Sequence, residues 1–448
     1  MQILKPIPER SSSTNEPTFM HGGGTYLLMS SNWSSWVYSG YEGSISSDKD
    51  PNKTQSSHKS QFRHVKFYSK QIFDEVNRIG ISKIAGGDNH MFLLLNNGDA
   101  FGYGWNEYTQ LLTSTVKNID TDSCDQFMKC HLHQIQDIYC GANFSYALVK
   151  ENSQEFQMYS AGWNNDRCLC HGVNGDGSSR PLGKVYCSDE NNQVMLFPPS
   201  HEHVLSVSCA GCSVAALTVH RLNPKKKKVY RCGAFTGFPR PNTEHSTYGC
   251  LNFTTVKNVE ILSGAVSIAL CSGSIVVLCE DLSAFILGKE IKLSIPIRKA
   301  FQLETSCVYM TEDYKIYNCV NVNSIDTSKD VKWSEPNSNS ELNGSQFETL
   351  HARGSRAIGV LSDTFDAIIY DQMDQSQFER VSLLEMLSAD DQFRLLRSKS
   401  LEMQVVCCRS CSFVFIKPIK KSDPMRRKLL LQTQTLDNPF VDVVIVWN

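Results

Sequence analysis

Hydrophobic and polar residues alternate in blocks along this chain, and the clearest example lies at residues 84–112. That segment reads IAGGDNHMFLLLNNGDAFGYGWNEYTQLL. It contains, in order, a small pair (Gly86, Gly87), His90, an apolar run, Asn97-Gly98, a second apolar run and Gly104-Trp105-Asn106. Two apolar runs joined by an Asn-Gly dipeptide are typical of a β-hairpin. The segment therefore predicts two short strands joined by a type I′-like turn.

Weaker copies of this template recur along the chain. The position of Ala85 corresponds in later copies to Tyr139, Ser208, Leu262, Ala300, His351 and Val406, and an upstream copy begins near Met20. Successive copies are separated by roughly 40 to 70 residues, a spacing that suits about four short strands per unit. Recurrence of this kind is typical of a repeat architecture.

At these residues the chain resembles the repeat family of the regulator of chromosome condensation, in which such strand pairs recur in a seven-bladed β-propeller. The second-best copy keeps the same features, Cys140-Gly141 followed by Gly162-Trp163-Asn164. The resemblance covers roughly residues 20–417. It implies an all-β fold, a closed β-propeller that occupies residues 1–448 as a single domain. We expect seven blades, although eight template starts can be counted.

Both ends of the chain carry half-copies of the template, near Met20 and near Val406. We expect one blade to combine strands from the two ends, because that joining removes two exposed sheet edges. Residues 441–447, VDVVIVW, form an apolar run rich in β-branched residues and are predicted to be the closing strand. The basic residues between 417 and 440 are predicted to form a loop before it, and a two-part nuclear import signal is the alternative.

Three insertions depart from the template. Residues 42–60 and 324–346 are rich in polar residues and are predicted to be surface loops. Residues 375–400 are predicted to be a helical insertion, because apolar residues recur every three positions from Phe378 to Leu387 before a capping sequence at Ser388. We expect these helices to cover an edge or the underside of the propeller. The alternative is that they offer a helix or groove to a partner.

Composition narrows the class of protein. Hydrophobic residues make up 41% of the chain and charged residues 20%, which is enough to bury a large core. The net charge of -2 gives no general affinity for polyanions, so direct DNA binding is not expected. No apolar run is long enough to span a membrane. Many of the 17 cysteines lie inside apolar runs, which favours reduced core thiols in a cytoplasmic or nuclear protein.

Two short motifs have both a chemical and a structural interpretation. The Cys-x-x-Cys pairs at 209–212 and 408–411 could hold zinc, but each occupies the small-residue position of the template, so no metal site is predicted. The run Lys225–Lys228 lies where the template has its turn. It is interpreted as a solvated hairpin tip, with contact to an acidic partner as the alternative.

No catalytic motif is present, so we expect a non-enzymatic protein without cofactor that acts as a monomer. Loops that follow the best-formed strands are held rigidly while remaining accessible, and we expect one face to bind a protein partner through Asp88, Asn89, His90 and Asn143. The alternative for His90 is a role in packing between blades or as an ordinary surface-loop residue. The resemblance implies an alternative function, guanine-nucleotide exchange on a small GTPase, the activity of the family's founding member. An enzyme using the central channel is a third hypothesis, and no motif favours it.

Overall fold

In the computed structural model, the described part of the chain is built almost entirely from β-strands. The described residues are 2–4, 19–22, 26–32, 35–40, 63–64, 66–67, 70–113, 123–153, 155–164, 167–171, 180–188, 193–233, 253–255, 262–271, 274–287, 291–292, 296–302, 306–311, 316–320, 347–353, 356–361, 364–371, 378–386, 401–407, 412–418 and 443–447. Within them, no helix is long and apolar enough to cross a membrane.

The described strands form eight sheets that follow one another along the chain. The chain begins with β1 (Gln2–Leu4). The first sheet contains β2 (Phe19–Gly22), β3 (Tyr26–Asn32), β4 (Ser35–Gly40) and β5 (Arg63–His64). The second contains β6 (Lys66–Phe67), β7 (Ile81–Gly86), β8 (His90–Leu95), β9 (Ala100–Trp105) and β10 (Ser123–Lys129). The third contains β11 (Ile135–Cys140), β12 (Phe144–Lys150), β13 (Phe156–Gly162) and β14 (Arg180–Lys184).

The fourth sheet is the widest, with β15 (Tyr186–Ser188), β16 (Val194–Leu196), β17 (Glu202–Ala210), β18 (Ser213–His220), β19 (Asn223–Gly233) and β20 (Phe253–Thr255). The fifth contains β21 (Ala265–Cys271), β22 (Ser274–Cys279), β23 (Ala284–Leu287) and β24 (Ile291–Lys292). The sixth contains β25 (Ile297–Gln302), β26 (Ser306–Thr311) and β27 (Ile316–Val320). The seventh contains β28 (Phe347–Arg353), β29 (Arg356–Leu361), β30 (Asp366–Asp371) and β31 (Phe378–Ser382).

The eighth sheet joins the two ends of the chain. It contains β32 (Leu401–Cys407), β33 (Ser412–Pro418) and β34 (Val443–Trp447), and β34 also pairs with β1. Pairing is antiparallel throughout, except that β10 runs parallel to β6 and β15 runs parallel to β20. An all-β chain of small antiparallel sheets is what the sequence predicted.

The described strands form eight sheets, whereas the sequence analysis expected seven blades, and the template accounts for these eight. Each of the eight template starts lies within the first long strand of a different sheet, or three residues before it in the case of Leu262. The strands at these positions are β2, β7, β11, β17, β21, β25, β28 and β32. Each contacts the next strand in this series, and β32 contacts β2. Adjacent sheets therefore contact each other through their first long strands.

The core lies between neighbouring sheets. Every residue of β8 and of β22 is buried, because these second strands are covered on both faces. Phe92 and Leu94 of the second sheet pack with Ile138 and Ala147 of the third. The third and fourth sheets share a further cluster around Tyr146. This two-sided burial explains why the second strands read as continuous apolar runs in the sequence.

A helix that the sequence analysis did not predict covers the outer side of the second sheet. Helix α1 (Lys70–Ile79) places Val76 against Met91 and Leu93 of β8. It ends at Gly80, whose φ of +82° is favourable only for glycine and whose N–H donates to the Val76 carbonyl at 2.9 Å. The helix therefore closes the face of the sheet opposite the third sheet.

The prediction of a helical insertion at 375–400 is wrong for the first part of this segment. Phe378–Ser382 is strand β31, and only helix α2 (Leu383–Met386) follows within the described residues. Arg380 pairs with Ile368 across the sheet, and its Nε donates to Asp366 Oδ2 at 2.7 Å. The segment is therefore a strand because it pairs with β30, although its apolar residues have a spacing that is compatible with a helix. The capping sequence at Ser388 lies outside the described residues.

The Asn97-Gly98 turn also differs from its prediction. Gly98 has a φ of +82°, whereas Asn97 has no positive φ, and a type I′ turn requires both. The Gly98 N–H donates to the Leu95 carbonyl at 3.0 Å. The hairpin is therefore closed by a type I turn that ends in a left-handed glycine. The loops expected at 42–60 and 324–346 lie outside the described residues, as do residues 419–442.

Candidate functional site

Three successive loops lie side by side at one end of the second, third and fourth sheets. Each connects the first long strand of its sheet to the second, and together we call them the loop row: residues 87–89, 141–143 and 211–212. The Asp88 N–H donates to the Ala142 carbonyl at 3.0 Å, and the Ala142 N–H donates to the Gly211 carbonyl at 3.1 Å. Backbone hydrogen bonds thus join the three loops into one continuous surface.

The small-residue pair of the template makes this close approach possible. Gly87 donates its N–H to the His90 carbonyl at 2.9 Å, and Gly141 donates to the Phe144 carbonyl at 3.0 Å. A Cβ atom at Gly87 would overlap the carbonyl oxygens of Gly141 and Ala142. Only glycine therefore lets the second and third sheets contact each other at this point.

Replacing Gly87 with alanine should lower the free energy of unfolding by about 1–3 kcal/mol, because the added methyl group meets backbone atoms that cannot move aside. Gly264 is the control. It lies just before β21, at the end of the fifth sheet opposite to the loop row, and a Cβ there would lie at an ordinary 3.7 Å from Cys279 Cβ. Gly264→Ala should leave the urea unfolding midpoint almost unchanged. Equal midpoints for the two variants would contradict this explanation.

His90 supports the loop row from beneath. Its side chain is completely buried, and its Nε2 lies 2.8 Å from Oγ of the equally buried Ser145 in the third sheet. Its ring also meets the Phe92 ring edge-on at 5.8 Å. His90 therefore links two sheets, and in this conformation a partner cannot reach it. Ser145, the other half of this contact, has no signal in the sequence.

The other three predicted site residues are brought together at the surface. Asp88, Asn89 and Asn143 are each half-buried in the loop row. The carbonyl of Asn89 accepts a hydrogen bond from the Trp105 N–H at 2.8 Å, and that of Asn143 accepts one from the Trp163 N–H at 2.9 Å. Asn143 Oδ1 is buried and accepts no hydrogen bond from the described residues. The two asparagines thus occupy equivalent positions in neighbouring sheets.

The lysine run lies at the opposite end of the fourth sheet and is not a uniformly solvated tip. Lys225 and Lys226 are exposed, whereas Lys227 is buried and donates from Nζ to the Ala265 carbonyl at 2.6 Å. Lys228 lies 3.0 Å from the buried carboxylate of Glu202. All four lysines belong to β19, so the turn predicted at 225–228 is displaced to residues 221–222.

Two of the cysteines in Cys-x-x-Cys pairs lie in or next to the loop row. Cys209 lies near the end of β17, and Cys212 lies in the turn before β18, within the loop row. Burial raises the pKa of the Cys209 thiol well above its usual range, so the reactive thiolate is disfavoured. Cys408 and Cys411 lie outside the described residues. Among those that are described, no group of three or more metal-ligating side chains occurs.

Comparison with known proteins identifies the repeat. Residues 81–110 match the model of the Regulator of chromosome condensation (RCC1) repeat, and these residues include β7, β8, β9 and the first loop of the row. This match confirms the resemblance seen in the sequence. No curated protein sequence matches the chain.

Several solved structures resemble this one at low sequence identity. Prp20p from Saccharomyces cerevisiae, whose binding properties to Gsp1p and histones have been described, is 15% identical, with 84% of this chain and 70% of that chain covered and a TM-score of 0.45. Yeast RCC1 (Prp20) bound to Kap60 is 14% identical, with coverages of 83% and 86% and a TM-score of 0.49. Human WBSCR16 is 13% identical, with 84% of each chain covered and a TM-score of 0.46.

Proposed function

We propose that this protein, a divergent member of the regulator of chromosome condensation repeat family, is a non-enzymatic scaffold that binds a protein partner through the loop row. The observation that carries the proposal is the pair of backbone hydrogen bonds from Asp88 to Ala142 and from Ala142 to Gly211. They fix the positions of neighbouring loops before a partner arrives, which reduces the entropy lost on binding. The buried contact between His90 and Ser145 supports the same rigidity.

The polar groups of the loop row favour recognition rather than chemistry. Asp88, Asn89 and Asn143 offer a carboxylate and two amides on a fixed backbone. The one histidine of the site is buried against Ser145, away from any substrate. We expect the protein to act in the cytoplasm, the nucleus or both.

The architecture that we propose for this scaffold is a closed β-propeller of eight sheets. Support comes from the contacts between successive first strands, which include the contact of β32 with β2. Eight template starts, one for each sheet, support the same count. Closure would hold the loops of all eight sheets at one end of the ring, with the loop row as its best-defined part.

Charge reversal in the loop row should weaken partner recovery. In the variant Asp88→Arg with Asn89→Ala, both changes lie in one loop and leave the buried His90 in place. We expect affinity purification from the native cell, followed by mass spectrometry, to recover the main partner at least about tenfold less than with the unchanged protein, which corresponds to about 1.4 kcal/mol. Glu280→Arg is the matched control, because Glu280 is exposed in a turn of the fifth sheet at the opposite end.

Unchanged recovery with the loop variant would overturn the assignment of the face. The purified protein should also be mixed with the small GTPases of the same cell, loaded with a fluorescent guanine nucleotide. Acceleration of nucleotide release would replace the scaffold function with guanine-nucleotide exchange.

A further inference from the structure

Three aromatic side chains form a cluster beside the loop row. The Trp105 and Tyr108 rings lie 5.7 Å apart, and the Tyr108 and Trp163 rings stack at 5.5 Å with an interplanar angle of 18°. Trp105 is the last residue of β9 in the second sheet and Trp163 directly follows β13 of the third, so the cluster bridges the two sheets. The backbone hydrogen bonds from Trp105 to Asn89 and from Trp163 to Asn143 place it next to the loop row. We call Trp105, Tyr108 and Trp163 the aromatic cluster.

Each side chain of the aromatic cluster carries one polar group that can donate a hydrogen bond. Neither indole N–H nor the Tyr108 hydroxyl forms a hydrogen bond within the part of the chain that the structure describes, and all three side chains are only half-buried. Tyrosines of the core differ, since Tyr230 donates its hydroxyl to the Glu202 carboxylate at 3.0 Å. Half-exposed Trp and Tyr side chains with free polar ends are common at protein interfaces, where they dominate the binding energy.

Negative charge lies next to these rings. Glu107 is exposed in the loop that carries Tyr108, and Asp88 lies in the adjoining part of the loop row. The pKa of Tyr108 is raised, first by partial burial and then by the negative charge of Glu107. Carboxylates beside aromatic rings are complementary to the side chain of arginine. A guanidinium group stacks on aromatic rings and donates two parallel hydrogen bonds to a carboxylate.

We propose that the aromatic cluster, together with Glu107 and Asp88, binds an arginine-bearing segment of the protein partner. The guanidinium group would stack on the aromatic cluster and donate hydrogen bonds to the Glu107 carboxylate. The proposal rests on the proposed function for the choice of face, and it adds the chemistry of the segment that is recognised.

A direct binding measurement tests this chemistry on the full chain. The probe is a fluorescein-labelled Gly-Ser peptide with two arginines, followed by fluorescence anisotropy. Control peptides carry citrulline, which has the shape of arginine without its charge, or a proline-rich sequence. We expect the arginine peptide to bind at least about tenfold more tightly than the citrulline peptide, since a cation–π contact and an ion pair together contribute on the order of 1–2 kcal/mol.

Substitutions at Tyr108 and Glu107 distinguish the contribution of ring stacking from that of the ion pair. Tyr108→Ala should weaken arginine-peptide binding about tenfold, whereas Tyr108→Phe keeps the ring and should stay within about twofold of the unchanged protein. Glu107→Gln should weaken binding about fivefold and reduce its salt dependence. Glu280→Gln removes an exposed carboxylate at the other end of the molecule and should have no effect. If Tyr108→Ala fails to fold, the proposal is still tested by Glu107→Gln, at an exposed position, and by the conservative Tyr108→Phe.

Equal binding of the arginine and citrulline peptides would overturn the proposal, as would equal effects of Glu107→Gln and Glu280→Gln. Tighter binding of the proline-rich peptide would overturn it as well. Partner recovery from cells distinguishes this failure from failure of the proposed function. Loss of the partner with the loop variant but not with Glu107→Gln and Tyr108→Ala would leave the scaffold intact and reject the arginine segment. If the loop variant, Glu107→Gln and Tyr108→Ala all retain the partner, the loop row is not the binding face.

Discussion

Removal of residues 441–448 should lower the free energy of unfolding by roughly 5 kcal/mol or more, because β34 lies in the middle of the eighth sheet and each of its backbone hydrogen bonds contributes about 1 kcal/mol. It pairs with β33 from Val443 to Trp447 and with β1 from Val444 to Val446. Its loss would also leave β33 as an exposed edge and β1 without the strand that holds it, so aggregation should increase.

Urea unfolding followed by circular dichroism measures this effect. Removal of Asn448 alone is the control, because the residue follows β34. A second variant, Ile445→Pro, deletes no residue but removes one N–H from the centre of a strand paired on both sides, and it should be strongly destabilising. A truncated chain with an unchanged midpoint would show that the two ends of the protein are not joined through this strand.

The repeated template predicts much of the fold, because its features are local. The second strands are buried on both faces, so they read as apolar runs wherever they occur, and each template start lies in or just before the first long strand of its sheet. The glycine pair of the template marks the place where Gly87 meets the neighbouring loop. These signals also placed Asp88, Asn89 and Asn143 in loops that the structure brings together.

Features that depend on distant residues could not be read in the same way. The apolar spacing from Phe378 is compatible with a helix, and only pairing with β30 makes it a strand. The length of the apolar pattern at α1 gives no indication of the sheet against which it packs. Tyr108 and Trp163 belong to copies about 50 residues apart in the sequence, so their stacking follows from the packing of two sheets.

Glu202 is the clearest case of a residue whose role is invisible in the sequence. Its side chain is 2% exposed, at the start of β17 and two strands away from β19. Thr218 donates its hydroxyl to Glu202 Oε2 at 2.7 Å, Tyr230 donates its hydroxyl at 3.0 Å, and Lys228 Nζ lies 3.0 Å from Oε1. One carboxylate therefore satisfies polar groups from both β18 and β19.

Replacing Glu202 with alanine should lower the free energy of unfolding by about 3–5 kcal/mol, because the lysine and two hydroxyl groups lose a buried acceptor. Glu202→Gln should cost less, since it keeps the shape and one acceptor oxygen. Glu155→Ala is the matched control at an exposed glutamate of the third sheet, where the change should stay within about 0.5 kcal/mol.

A double-mutant cycle with Lys228→Met identifies the cause of the loss. If the partly buried charge of Lys228 is the main cost in Glu202→Ala, adding Lys228→Met should recover part of the stability, and the two changes should be far from additive. Strict additivity would show that the ion pair contributes little and that the cost comes from the cavity and the two hydroxyl groups. Urea unfolding midpoints of the four proteins, measured at one pH and ionic strength, decide between these outcomes.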